Sequence, residues 1–183
     1  MKMLKSPLKE QIDEITNDFN SKFANLTKDE WNWKPDSSVW SIAQNIDHLI
    51  VINSSYFPLI SAIRKGSYQL PFVAKFGFIV NFFGKTILKA VQPDRRRKMK
   101  TFTIWEPTKS EIEDDILARF ETHQSELKKI IEESTDLINR GAVISSPANK
   151  LIVYKLNTAF DIIVTHERRH LEQAKELLEL MPK

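Results

Sequence analysis

At 183 residues, with 42% apolar and 28% charged side chains, the chain has the length and composition of a globular protein with one proper core. A formal net charge of +3 is too small to point to nucleic acid as a partner. The absence of cysteine excludes disulfides, thiolate metal ligands and a cysteine nucleophile.

The N-terminal "MKMLKSPLKEQIDEI" lacks the continuous apolar run of a signal peptide. Leu4, Leu8, Ile12, Ile15, Phe19, Phe23 and Leu26 follow at steps of three and four, so a first helix with one apolar stripe is expected. "LTKDEWNWKPDSSVW" reads as a loop, with Pro35, Asp36 and two serines. Its tryptophans Trp31, Trp33 and Trp40 are expected to cap the bundle, with Trp31 or Trp33 as candidates for a pocket mouth. A second helix begins at Ser41, whose "SIAQ" matches the capping box through Gln44, and runs to about Gly66 with Pro58 as a kink.

Between residues 67 and 106, Phe72, Phe76, Ile79, Phe83 and Ile87 keep helical spacing, which predicts an accessory helix. The apolar segment 71–91 is a lid, a packing element or a dimer interface; Lys75 and Lys85 make it a poor membrane span. "RRRK" at 95–98 reads as a solvated turn, or as a lure for an anionic substrate. Thr108 and Glu111 form a second capping box, which predicts a third helix through Ile112, Ile116, Phe120, Leu127 and Ile130, closed by Gly141. "KLIVYKL" is strand-like, and the last helix runs from about Asn157 to Leu180 with Pro182 beyond it. These elements predict a single all-α domain over residues 1–183. The expected architecture is a four-helix up-down-up-down bundle, with a long crossover and accessory helix between helices two and three.

"VTHERRHLEQAKELL" poses the functional question. His166 and His170 are four residues apart, so both lie on one helix face, a spacing that suits a metal ion and equally suits two solvated histidines. Ala159, Ile163, Gln173 and Leu177 share that face; Arg168, Arg169, Glu172, Lys175, Glu176 and Glu179 are expected outside. His48 is seven residues into helix two, while His166 and His170 are nine and thirteen into helix four. If those helices are parallel, the three imidazoles converge with a coordination position left open, the layout of a catalytic metal site.

"VWSIAQNIDHL" resembles the Trp-Ser-x-x-x-x-x-x-His-Leu motif of the DinB-like (DNA-damage-inducible) metalloenzyme superfamily, and "THERRHLEQ" resembles its His-Glu-x-x-His-x-x-Gln motif. The resemblance covers nearly the whole chain and implies that His48, His166 and His170 are the metal ligands. The family is similar to S-transferases and isomerases that use bacillithiol, mycothiol or glutathione, so the resemblance implies thiol transfer first. It implies no DNA binding.

Further candidates follow from position. Gln44 and Gln173 are one turn from His48 and His170 and suit second hydrogen bonds to the imidazoles, although the capping box competes for Gln44. Glu167 is expected in an ion pair with a nearby arginine, or as proton acceptor for a metal-bound water. His123, at the edge of helix three's apolar stripe, is an acid–base candidate or a half-buried histidine with a backbone or water partner. The expected cofactors are one divalent transition metal, Zn or Ni with Fe and Co as alternatives, and a low-molecular-weight thiol. A small-molecule substrate, a homodimer, a cytoplasmic location and no nucleic-acid or membrane partner complete the expectations. Metal-dependent hydrolysis is the alternative reaction; a non-catalytic metal or ligand-binding bundle, or a purely structural one, is the alternative class.

Overall fold

The predicted apolar stripe of the first segment closes on the interior. In the computed structural model, which describes residues 7–94 and 101–182, helix α1 (Leu8–Phe23) buries Ile12, Ile15, Phe19 and Phe23 completely. Leu4 of the expected stripe and the 95–98 run lie outside the described residues. The segment read as a loop instead contains a short helix, α2 (Lys28–Asn32), started by a third capping box: Thr27 accepts from the Glu30 N–H and Glu30 reaches back.

The Ser41–Gln44 box opens α3 (Ile42–Ser54) as predicted. The chain then breaks at Ser55–Tyr56 and resumes as α4 (Phe57–Arg64), so Pro58 starts a helix where a kink was expected. The whole span Ile42–Arg64 is apolar and long enough to cross a membrane by length and composition. Yet it turns the buried polar side chains of Asn45, Asp47, His48 and Asn53 into the core. The accessory helix is α5 (Gly77–Ala90), entered through a 3-10 turn at Phe72–Lys75.

Helix α6 (Ile116–Glu133) begins seven residues later than the Thr108 box predicts. The Thr108 N–H and hydroxyl both donate to Asp47, at 2.7 and 2.9 Å, so they serve as an anchor rather than a cap. The Lys109 and Ser110 carbonyls accept from the Gln44 amide, and the Ile112 N–H donates to Asn32 Oδ1. Side chains of α2 and α3 thus satisfy backbone groups that a helix would otherwise have paired.

After α6 and α7 (Thr135–Asn139), Gly141 takes a φ of 69° and closes the helix with Gly141 N–H to Ile138 O and Ala142 N–H to Leu137 O, a Schellman pair. The all-α expectation is amended here. Strands β1 (Val143–Ser146) and β2 (Asn149–Lys155) form an antiparallel hairpin, register Val143–Lys155, Ile144–Tyr154 and Ser145–Val153. Only β2 had been legible as "KLIVYKL"; β1 pairs with it through Pro147–Ala148.

The last helix, α8 (Leu156–Leu180), packs against α1 and α3, which in turn both pack against α6. Phe19 meets Phe120 edge-on at 5.0 Å within that core. Helix α5 lies on β2 and α8 and forms a further wall. Removing the fully buried Asp47 carboxylate should be the costliest single polar change, because it also receives Arg119 at 3.2 Å. Arg119 is half exposed, so its loss of partner counts little; for Asp47→Ala we expect a loss of about 3 kcal/mol in urea unfolding. A loss within experimental error would show that the Thr108 anchor contributes nothing.

Candidate metal centre

Helices α3 and α8 carry the three predicted histidines to one point. His48 comes from the second turn of α3, and His166 and His170 stand on successive turns of α8. Ring nitrogens of the three lie within 4.8 Å of one another, and His166 Nε2 is 3.0 Å from His170 Nε2. Among the described residues this is the one cluster of three histidine or carboxylate side chains arranged to hold an ion.

Their orientation is set by hydrogen bonds that the sequence did not announce. His170 Nδ1 faces Asn45 Oδ1 at 2.7 Å, while Asn45 Nδ2 donates to the Ser41 carbonyl at 2.8 Å. That second bond commits the amide oxygen to His170, so His170 donates from Nδ1 and keeps a lone pair on Nε2. His48 Nδ1 faces the Trp105 carbonyl, which can only accept, so His48 likewise donates from Nδ1 and its Nε2 carries the lone pair. Burial lowers the pKa of His48, opposed by that carbonyl and by Asp47. His166 is held well below the usual range by burial, reinforced by the His48 ring and the Arg169 guanidinium. Rings whose lone pairs turn inward, as those of His48 and His170 do, could hold a metal ion together with His166.

The cluster lines a cavity of about 1010 Å³. Trp40 covers it, 4.8 Å from the His48 ring and stacked on His170 at 6.2 Å. Trp40 therefore lines the pocket rather than merely capping the bundle, whereas of the two candidates for the pocket mouth, Trp31 and Trp33, neither lines it, and Trp31 is buried against Phe23. Trp105, from the segment before α6, lines the cavity beside it. Arg169, expected outside, is buried in the cavity wall and donates to the Ala90 carbonyl of α5 at 2.7 Å. The reversal has a simple cause: α5 covers that side of α8, so an outward position of the bundle became an interior one.

The remaining candidates divide. Gln173 lines the cavity. Gln44 is used by the capping box and by the 109–110 carbonyls, so it does not support His48. Asn45, one residue on, takes the supporting role at His170; its position three residues before His48 was the one signal available. Glu167 is fully buried about 100° round α8 from His166, receiving Asn53 Nδ2 at 2.7 Å and Gln124 Nε2 at 2.9 Å. Two amides, not an arginine, hold it, and burial raises its pKa to about 7. His123 is buried behind Phe57, whose ring stacks on it at 5.4 Å, and it lines a separate surface depression with Ser54 and Arg119.

Burial alone lowers the pKa of His123 to about 4, from 6.5. Between these values the unfolded chain binds a proton that the native protein refuses, so acidification through that window costs stability, up to about 3 kcal/mol. Glu167 opposes it, because its raised pKa makes the native state bind the proton first as pH falls below about 7. The His123 contribution is therefore read as a difference. Urea unfolding of the parent and of His123→Asn should give a stability difference that shifts in favour of the variant as pH drops from 6.5 to 4. A flat difference would mean that His123 protonates freely in the native protein.

No curated protein and no solved structure matches this chain. The family profile described as the DinB superfamily matches residues 11–174, a span that begins within α1 and ends within α8, past His170. With the paired motifs on α3 and α8 placing their histidines around one point, the chain belongs to the DinB superfamily.

Proposed function

We propose that this chain is a single-domain, cytoplasmic, metal-dependent enzyme, built as a four-helix up-down-up-down bundle. It transfers a low-molecular-weight thiol to a small electrophile. The observation that carries the reading is the convergence of three imidazoles, oriented by Asn45 and the Trp105 carbonyl, on a cavity of about 1010 Å³. The donor set fits a divalent ion: three neutral nitrogens suit Zn, Ni, Fe or Co, and three protein ligands leave a position for substrate. Lewis acidity, which favours the ionised form of a thiol or a water, is what such an ion supplies.

The rest of the work belongs to the chain. Asn45 and the Trp105 carbonyl keep the protons of His170 and His48 on Nδ1, so that both Nε2 atoms remain donors of electron pairs. Trp40, Ile52, Ile162 and Ile163 give the cavity an apolar wall that excludes water and receives the body of an electrophile. Arg169 places a buried cation in that wall, a match for the carboxylates that small cellular thiols carry. Hydrolysis needs a proton acceptor beside the water. The two internal candidates are turned away from the histidines, Glu167 towards Asn53 and Gln124 and His123 behind Phe57, so neither supplies that acceptor.

Elemental mass spectrometry of protein purified without an affinity tag should find close to one transition-metal ion per chain, and His48→Ala should retain little. Metal in neither protein, after incubation with Zn or Ni salts, would remove the enzyme reading. Arg169→Met should raise KM for the thiol while moving kcat less, because the guanidinium acts on binding; an unchanged KM would assign the anionic group of the substrate elsewhere.

A further inference from the structure

Helix α5 presents two different faces. Its inner side, through Ile87, Ala90 and Val91, lines the histidine cavity. Its outer side and the turn before it expose four phenylalanines to solvent: Phe72 at 67%, Phe76 at 40%, Phe78 at 73% and Phe82 at 63%. They are contiguous, with ring centroids 5.5 Å apart for Phe72 and Phe76 and 6.0 Å for Phe76 and Phe78, while Phe78 and Phe82 are one helical turn apart. Leu151, 59% exposed on the hairpin that α5 packs against, is a further exposed apolar side chain on the same two elements. Exposed aromatic surface of this extent marks an interaction site.

The charged side chains of α5, its preceding turn and the hairpin are of one sign. Lys75, Lys85 and Lys89 are exposed on the same turn and helix, and Lys75 Nζ sits 5.1 Å above the Phe72 ring. No Asp or Glu occurs between Asp47 and Asp94, and none between Asp136 and Asp161, a stretch that contains the hairpin and adds Lys150 and Lys155. Two copies paired through this face would oppose lysine to lysine without a carboxylate of these elements to offset them. A surface that is apolar and negatively charged satisfies both features at once. Phenylalanines enter the acyl boundary, and lysines reach the phosphates.

We infer that the outer face of α5, with Phe72, Phe76, Phe78 and Phe82 among Lys75, Lys85 and Lys89, docks the protein on an anionic lipid bilayer. This departs from the sequence expectation of no membrane partner, and it is independent of the chemistry in the cavity. The binding is peripheral. It is weakened by salt, because the lysines act through the screened surface potential, and abolished when the aromatic contacts are lost.

Co-sedimentation of the full chain with vesicles of mixed phosphatidylglycerol and phosphatidylcholine tests it, beside vesicles of phosphatidylcholine alone. Binding is expected to the anionic vesicles only. Replacing Lys85 and Lys89 by Gln should weaken it roughly fivefold for each lysine, and Phe78→Ser with Phe82→Ser should remove it, circular dichroism showing both variants folded. Three results would overturn the inference: no sedimentation with anionic vesicles at low salt, equal binding by the Phe78→Ser, Phe82→Ser variant, or a lipid-free dimer that the same substitutions dissociate.

Discussion

Three imidazoles packed within 4.8 Å in a protein interior cannot all be charged and cannot all go without partners, and the architecture around them answers that constraint. Burial keeps His48 and His166 neutral. Neutrality leaves one N–H and one lone pair on each ring, so every ring needs an acceptor on its outer side if its inner nitrogen is to remain a donor of electron pairs. Asn45 supplies one acceptor and the Trp105 carbonyl another. Asn45 is in turn oriented by the Ser41 carbonyl, the N-cap of the same helix. The start of α3 and the electronic state of His170 are therefore coupled through one side chain.

The Trp105 carbonyl is available only because the segment ahead of α6 is held down. Asp47, the residue before His48, takes the Thr108 N–H and hydroxyl, and Gln44 takes two carbonyls beyond it. Neighbouring residues of α3 thus have different duties, candidate ligand on one face and anchor on another. The same division occurs on α8. His166 and His170 turn to the cavity, while Glu167, about 100° further round the helix, turns into the interface with α3 and α6. A His-Glu-x-x-His run is often read as ligands plus a catalytic base. Here the carboxylate is walled off by two amides, so the shared spacing does not carry the shared role.

Helix α5 and the hairpin complete the far wall, and their fit is close. A Cβ at Gly84 would stand 3.1 Å from Thr158 Cγ2 and 3.4 Å from Tyr154 Cβ, so glycine is what lets α5 approach the junction of β2 and α8. The paired hydroxyls of Tyr56 and Tyr154, 2.7 Å apart and buried, tie the α3–α4 bend to the hairpin at the edge of the cavity. This wall also converts the apparent outer face of α8 into an inner one, which is how Arg169 comes to be a cavity residue.

Periodicity and capping chemistry are local properties, and they determined α1, α3, α5 and α8 and the presence of histidines on facing stripes. The glycine stops at Gly66 and Gly141 were legible for the same reason, since a left-handed residue is a local requirement. What failed locally was whatever a distant group could overrule. Thr108 carries a cap signature, but Asp47 takes its N–H and hydroxyl, so α6 begins at Ile116; Thr27, with the same signature in a segment dense in loop residues, keeps its cap. Strand β1 has no meaning until β2 pairs with it. The partners of the histidines, the place of Trp40, the burial of Arg169 and the isolation of Glu167 were decided by tertiary structure alone, because a hydrogen bond to a backbone carbonyl 57 residues away leaves no mark on the residue that makes it.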